Sequence, residues 1–169
     1  MRASLFAVVA FALAASAAAA QDTQTVDVTP YLAVGSAGAS PVGLAVTFPV
    51  TPTLSVETDL AYRRGEGLHA FSTSSSLLYS PRRGGQVKPY IGGGVGLSQY
   101  GSPVFSASGT PIGSQSRVAV TLNTGGGLRM AVNEKLALRT DARYYKSFGG
   151  QGSEAFRVAQ GISFVAGKR

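Results

Sequence analysis

The chain has 169 residues and a net charge of +7, with 15 Lys and Arg, 8 Asp and Glu, and no cysteine. Disulfides, thiolate zinc sites and cysteine nucleophiles are therefore excluded. The basic residues are scattered without a Lys/Arg-rich run, which argues against nucleic acid as a partner. We expect the positive charge to face anionic lipid instead.

The first twenty residues have the pattern of a secretory signal peptide. Arg2 supplies one positive charge, Leu5 to Leu13 is an apolar run, and small residues follow as far as Ala20. A membrane-anchoring helix is the alternative, but a span needs about 20 strongly apolar residues, and this run decays into alanine. We therefore predict a signal peptide at residues 1–20, removed after Ala20, and one mature domain at residues 21–169.

Eight strand-like segments follow the leader, separated by clusters of Gly, Pro, Ser and Asn. No window of ten or more residues shows convincing helical periodicity. The predicted strands are Thr25 to Gly35, Val42 to Val50, Leu54 to Arg63, His69 to Ser80, Val87 to Ser98, Ser116 to Ala131, Lys135 to Ser147 and Ala155 to Phe164.

The third and seventh predicted strands show the clearest alternation. Each places Leu, Val, Thr or Tyr on one face, and the opposite face carries charges of both signs. Since side chains of a strand point alternately to opposite faces, each strand has one face fit for lipid and one polar face. The pattern predicts an all-β fold, an eight-stranded antiparallel up-and-down transmembrane β-barrel.

The connections between the predicted strands alternate in length. Short turns are predicted at 51–53, 82–86 and 133–134, and mostly longer segments at 36–41, 64–68, 99–115 and 148–154. Outer-membrane barrels have short turns on the periplasmic side and longer loops outside. We therefore expect residues 99–115 and 148–154 to be external loops that contact a surface partner.

Aromatic residues gather near the ends of the predicted strands. Interfacial girdles of a membrane barrel require this placement. The expected girdle residues are Phe48, Tyr62, Phe71, Tyr79, Tyr90, Tyr144, Phe148, Phe156 and Phe164.

A soluble, exported lipocalin-like barrel is the main alternative, because it would alternate equally well. Its apolar face would turn inward around a ligand and its charged face toward water. The leader, the loop lengths and the mixed signs on the polar face favour the membrane. Alternation by itself does not separate the two, so the ligand-binding barrel stays open at this point.

Two glycine-rich stretches, Pro89 to Gly96 and Gly125 to Arg129, precede a polar turn at 133–134 and the alternating segment Leu136 to Tyr145. With these motifs the chain resembles the opacity-like or outer-membrane-protein-A-like barrels over essentially the whole mature domain. The resemblance implies the outer membrane of a Gram-negative-type envelope, with outer-membrane lipid and the barrel-assembly machinery as partners. Such barrels often end on an aromatic residue that looks like the assembly signal, whereas Phe164 is followed here by five more residues.

The resemblance also implies a narrow barrel filled by side chains, and eight strands leave room for little else. Opposite charges must pair in that space, because an unpaired buried charge costs several kcal/mol. The predicted interior network consists of Asp27, Glu57, Asp59, Arg63, Arg129, Arg139, Asp141, Arg143 and Arg157. Glycines at 92, 94, 96, 125 and 127 are expected to make room for the arginines. We interpret the network as a packed plug, with a gated ion path as the functional alternative.

Residues for catalysis are hard to find. His69 is the only histidine, and spacing does not exclude its pairing with Ser72 or Ser98, since catalytic groups meet in space. An outer-membrane lipid-modifying enzyme is therefore a further alternative. Glu57 and Asp59 share a strand face, but the surrounding arginines favour ion pairs over acid–base work or a metal site. We predict no catalytic residue, metal or cofactor, and a structural or surface-interaction role in adhesion or envelope integrity.

Overall fold

A single sheet of eight antiparallel strands closes on itself in the computed structural model, which describes residues 25–36, 40–65, 68–81, 85–106, 108, 110–148 and 154–167. The strands are β1 (Thr25–Gly35), β2 (Val42–Pro49), β3 (Leu54–Gly65), β4 (Leu68–Tyr79), β5 (Val87–Phe105), β6 (Pro111–Ala131), β7 (Leu136–Phe148) and β8 (Glu154–Gly167). Each pairs with its neighbours in chain order, and β8 pairs with β1. The predicted fold class is confirmed, while the predicted signal peptide lies outside the described residues.

The β1–β8 pairing closes the barrel. It runs from Thr25 opposite Gly167 to Gly35 opposite Arg157. The three residues after Phe164 therefore continue β8 along β1. A closed sheet has no open edge, so its backbone groups are satisfied without water. Within the described ranges, no helix is long and apolar enough to cross a bilayer.

Along the strands, side chains alternate between an apolar outer face and a polar inner face. In β7, Leu138 and Tyr144 lie outside, while Arg139, Asp141 and Arg143 are buried inside. Large hydrophobic side chains exposed on the outer face include Leu32, Val34, Val42, Leu44, Leu77, Ile91, Val95, Leu122, Leu128 and Ile162. The barrel thus carries its apolar surface outside and its charges inside.

The connections at the two ends of the barrel differ little in length. We call the end with the first residues of β1 and the last of β8 the termini end, and the opposite end the hairpin end. Connections at the hairpin end cover 36–41, 66–67, 106–110 and 149–153, and those at the termini end cover 50–53, 80–86 and 132–135. The predicted difference in loop length is therefore wrong, since the longest of these connections lies at the termini end.

Residues 99–115, predicted as a loop, are mostly strand. β5 and β6 stay paired out to Val104 opposite Gly113 and Phe105 opposite Pro111, with a register shift at that point. β4 pairs with β5 only as far as Gly101, and β7 pairs with β6 only from Val120. The β5–β6 hairpin therefore projects beyond the rest of the barrel, which a Gly-, Ser- and Pro-rich composition did not indicate.

Hydrogen bonds from backbone N–H groups to side chains close two of the turns at the termini end. The Asn133 Oδ1 atom accepts hydrogen bonds from the backbone N–H groups of Lys135 and Leu136, each at 2.8 Å. In the 50–53 turn, the Thr51 Oγ1 atom accepts one from the Leu54 N–H at 3.0 Å. Asn and Thr favour such turns because their short side chains reach the backbone two or three residues on.

Six of the nine predicted girdle residues are exposed on the outer face. Exposed aromatic side chains on the outer face include Tyr62, Tyr79, Tyr144, Phe148, Phe156 and Phe164. Tyr90, however, is only 8% exposed and hydrogen-bonds with interior charges. Its placement in the girdle was wrong, because Tyr90 shares the parity of Gly92 and Gly94 and therefore points inward.

Candidate functional site

Six buried charges meet at the waist of the barrel, and we call this group the central cluster. It consists of Arg139, Arg143 and Arg157 with Glu57, Asp59 and Asp141, and none of these side chains is more than 9% exposed. Equal numbers of acids and arginines make the cluster neutral when all are ionised. β3 supplies two of its acids, and β7 and β8 supply the arginines and the third acid.

Glu57 is the acid that joins two of these arginines. Its side chain is 1% exposed and forms an ion pair with Arg139 through one carboxylate oxygen and with Arg143 through the other, the latter at 2.5 Å. Thr47 donates a further hydrogen bond to it at 2.9 Å. The inner face of β3 places Glu57 against β7 across the lumen, so this acid links opposite walls of the barrel.

Asp141 joins the two halves of the cluster. Its carboxylate lies 3.4 Å from Arg139, 3.0 Å from Arg143 and 3.6 Å from Arg157. Asp59 pairs with Arg157 at 3.1 Å. Several strands therefore depend on one connected network, and removing one member leaves others without their full complement of opposite charge.

Two tyrosines support two of the arginines in matching ways. The Arg157 guanidinium lies 4.8 Å from the Tyr31 ring centroid and donates to its hydroxyl at 2.6 Å, and that hydroxyl donates to Asp59 at 3.0 Å. Arg139 lies 4.8 Å from the Tyr90 ring and donates to its hydroxyl at 2.7 Å. Each arginine is thus held by an aromatic face and by hydrogen bonds at the same time.

A glycine makes room for each of these tyrosines. Gly43 lies directly opposite Tyr31, and Gly127 lies directly opposite Tyr90. A Cβ atom on Gly43 would come within 2.3 Å of the Tyr31 ring, and one on Gly127 would come within 2.5 Å of the Tyr90 hydroxyl. Both sites require a residue without a side chain, because the tyrosine covers the glycine of the neighbouring strand.

Gly127→Ala is therefore expected to destabilise the barrel by about 1 to 3 kcal/mol through overpacking. The added methyl group would meet the Thr140 carbonyl oxygen at 2.1 Å as well as Tyr90, so relaxation of one side chain does not relieve it. Urea unfolding of the barrel in detergent measures the change. Gly113→Ala is the matched control, since a Cβ there has no neighbour within 4 Å, and equal midpoints for the two variants would contradict the account.

The other predicted network residues lie outside the central cluster. Asp27 and Arg129 form an ion pair at 2.9 Å near the termini end, each about one-fifth exposed. Arg63 is half-buried near the hairpin end, and no carboxylate within the described ranges forms an ion pair with it. The structure therefore brings six of the nine predicted residues together, adds one separate pair and leaves Arg63 apart.

The inward glycines do not mainly accommodate arginines. Of the glycines expected to do so, Gly125 adjoins an arginine side chain, with its Cβ position 3.0 Å from the Arg143 Cγ atom. The other four adjoin Leu78, Ser76, Ser74 and Tyr90. That expectation was wrong in its detail, because cross-strand neighbours on the same face fill the space beside a glycine.

The central cluster separates two cavities in the lumen. A cavity of 270 Å³ lies at the termini end and includes Asp27, Lys88 and Arg129 in its lining. A second, of 100 Å³, lies at the hairpin end beside Arg63 and Arg157. Only about 10 Å³ of space remains within the cluster itself, which is near the least that holds one water molecule.

The structure does not form the Ser/His pair that the sequence left open. His69 is exposed and lies opposite Arg64 on the outer face, where its Nδ1 atom is 2.9 Å from the Tyr62 hydroxyl. Ser72 and Ser98 lie opposite each other and line the inner cavity at the hairpin end. The strand wall therefore separates the histidine from both serines. Among the residues that the structure describes, no group of three or more His, Cys, Asp or Glu could hold a metal ion.

Sequence reasoning did not include three inward-facing tyrosines in the predicted network. Tyr31, Tyr90 and Tyr145 all contact arginines of the central cluster, the last with its ring centroid 5.2 Å from Arg157. Parity along each strand could have found them, since Tyr31 shares the inner face with Asp27, and Tyr145 shares it with Asp141. For Tyr90, aromatic character near a strand end was instead interpreted as a sign of the lipid boundary.

Comparisons with known proteins agree with this architecture. No protein-family model matches the chain, and no curated protein matches it in sequence. The N-terminal β-barrel domain of Pseudomonas aeruginosa OprF matches with a TM-score of 0.66 at 14% identity, covering 85% of this chain and 98% of that one. Neisserial surface protein A matches with a TM-score of 0.62 at 15% identity, covering 83% and 94%.

The outer membrane enzyme PagL matches as well, with a TM-score of 0.52 at 17% identity over 82% of this chain and 98% of that one. Proteins with this fold thus include an enzyme and a surface protein. The fold alone does not indicate which of these roles a protein has. At these identities the comparisons establish architecture alone. The chain has the fold of the eight-stranded outer-membrane β-barrels.

Proposed function

We propose that the protein is a non-enzymatic, integral outer-membrane barrel that acts at the cell surface through its hairpin end, in adhesion or envelope integrity. Its partners in this proposal are outer-membrane lipid, the barrel-assembly machinery and a surface partner that contacts residues 99–115 and 148–154. The central cluster acts as a packed plug. The observation that carries the surface role is the β5–β6 hairpin, which projects beyond the other strands.

The distribution of polarity supports membrane residence over the lipocalin-like alternative. A soluble ligand-binding barrel needs an apolar interior, whereas the lumen here holds the central cluster and the outer face carries exposed side chains such as Leu32, Ile91 and Val118. So large an exposed apolar surface on a barrel marks contact with lipid or protein. An outward band of apolar residues flanked by aromatic rings is the arrangement of outer-membrane barrels.

The projecting hairpin is suited to contact a partner because it lies beyond the other strands and exposes apolar side chains. Val104 is 39% exposed and Ile112 is 67% exposed. Strand pairing orders the backbone that carries these side chains, which reduces the entropy lost on binding. His69 lies on the outer face of the barrel, whereas Ser72 and Ser98 lie on the inner face. This separation supports a role without catalysis.

An epitope inserted after Ser108 should react with antibody on intact cells, whereas the same epitope inserted after Asn133 should react only after the outer membrane is permeabilised. The first position is at the tip of the hairpin, and the second is in a turn at the termini end. Whole-cell immunofluorescence measures both. Labelling of the Asn133 insertion on intact cells, with none at Ser108, would reverse the orientation and remove the surface role from the hairpin.

Deleting residues 102–114 should leave the barrel folded and remove surface binding. This segment pairs only within the hairpin, so its loss breaks no strand pairing with β4 or β7. Urea midpoint and heat-dependent mobility in SDS test the fold, and adherence and aggregation of cells expressing the variant test the role. Loss of folding would show that the segment stabilises the barrel, and unchanged adherence together with unchanged aggregation would place the contact surface elsewhere.

A further inference from the structure

Three cations form one cross-strand row of the inner wall, which runs from the termini end to the central cluster. Lys88 of β5 lies directly opposite Arg129 of β6, and Arg129 lies directly opposite Arg139 of β7. Like charges directly opposite each other on neighbouring strands are destabilising. Such a row therefore requires anions beside it.

Carboxylates compensate two of these three cations. Arg139 pairs with Glu57, and Arg129 pairs with Asp27. Lys88 forms no ion pair with any carboxylate in the part of the chain that the structure describes. The side chain of Lys88 is half-buried, so water screens its charge less than it would at an open surface.

This uncompensated cation lies in the wall of the larger cavity. The cavity measures 270 Å³, and Arg129 lies beside Lys88 in its lining. The Arg129 Nε–H group is buried and has no hydrogen-bond partner. Hydroxyl groups form much of the remaining polar lining. Thr47 and Ser80 already donate to Glu57 and to the Pro89 carbonyl oxygen, and Thr29 and Ser163 share one hydrogen bond. Among the described residues, Thr25, Ser55 and one hydroxyl of the Thr29–Ser163 pair therefore remain as donors. Ammonium, guanidinium and hydroxyl groups are the donors that bind oxyanions.

The central cluster blocks this cavity at its inner end, since only about 10 Å³ remains within the cluster. A solute that enters from the termini end would therefore stop beside Lys88. At 270 Å³ the space holds several water volumes of about 30 Å³ each, enough for a small anion and some of its water, but not for a polymer. Because the cavity lies inside the closed sheet, the strands separate it from any ligand on the outer face.

We propose that this cavity is a binding site for a small water-soluble oxyanion, a phosphate or a carboxylate, held between Lys88 and Arg129. The anion replaces the missing counter-charge of the row, and Asp27 limits its affinity by competing for Arg129. Because the cavity is closed at its inner end, a solute that binds there stays at the termini end and does not pass through the barrel.

Calorimetric titration of the full barrel in non-ionic detergent tests the site, with inorganic phosphate as one probe and acetate as the other, at constant ionic strength. Saturable binding is expected for at least one probe, and the tighter of the two identifies the class of oxyanion. Lys88→Gln should weaken binding at least tenfold. Lys135→Gln is the matched control and should bind like the unaltered protein, because Lys135 lies in the 132–135 turn and does not line this cavity.

Asp27→Asn should tighten binding several-fold, because it releases Arg129 and removes a carboxylate that repels the anion. Poor folding would weaken binding and so does not produce this result. Unaltered protein that binds neither probe would overturn the proposal. Equal affinity in Lys88→Gln would also overturn it, as would weaker binding in a folded Asp27→Asn variant.

Discussion

Arg139→Ala is expected to lower the free energy of unfolding by about 3 to 5 kcal/mol, the usual cost of removing one partner of a buried ion pair. Arg139 is 8% exposed and contacts Glu57, Asp141 and Tyr90. Its loss leaves the central cluster with two arginines against three acids. Total stability of a domain is about 5 to 15 kcal/mol, so this change should shift the urea midpoint of the refolded barrel strongly.

Arg117→Ala is the matched control, because Arg117 is exposed on β6, and exposed substitutions usually change stability by less than about 0.5 kcal/mol. The double variant Arg139→Ala with Glu57→Gln restores charge balance in the cluster. Its cost should be smaller than the sum of the two single costs, since residues in one network couple. Equal midpoints for Arg139→Ala and Arg117→Ala would contradict the structural importance of the cluster.

Val95→Arg is expected to destabilise the barrel in lipid by about 2 to 4 kcal/mol, the cost of an arginine on the lipid face near the midplane. Val95 is 58% exposed on the outer face and lies near the middle of the part of β5 that pairs with β4. Its cross-strand neighbours are Ser75 and Leu122, which offer no opposite charge. Unfolding by urea from phospholipid vesicles measures the change.

Val104→Arg is the control for Val95→Arg on the same strand, because Val104 is exposed in the projecting hairpin beyond the other strands. We expect its effect to stay within about 0.5 kcal/mol. A soluble barrel would tolerate arginine at both positions, since both would face water. If both substitutions change the free energy of unfolding by less than about 0.5 kcal/mol, the outer wall does not face lipid.

The closed barrel could be predicted from the sequence because alternation in β3 and β7 is regular and every strand is bounded by turn residues. The β1 bounds agree with the prediction residue for residue. Charged residues such as Glu57 and Arg143 identified the inner face, since a strand that alternates apolar and charged residues has one polar side. Burial then required these charges to pair.

The projecting hairpin could not be predicted in the same way. Its residues include Gly, Ser and Pro, which favour turns, and two strands that pair only with each other need no apolar alternation. Tyr90 was misplaced for a related reason, as aromatic character dominated its interpretation and its parity was not followed. The support of Arg139 by Tyr90, and of Tyr90 by Gly127, depends on which residues lie opposite each other across strands. In a hairpin this register depends on the turn type and the loop length as well as on the hydrophobic pattern, and the turn geometry was not predicted.

The most direct test of a closed barrel in the outer membrane is the electrophoretic mobility of the carbonate-washed envelope protein in SDS, with and without boiling. A membrane barrel should stay with the washed membranes and should migrate differently before and after heating, because closure keeps it folded in SDS until it is boiled. Release into the soluble fraction, with the same mobility in both samples, would contradict the account.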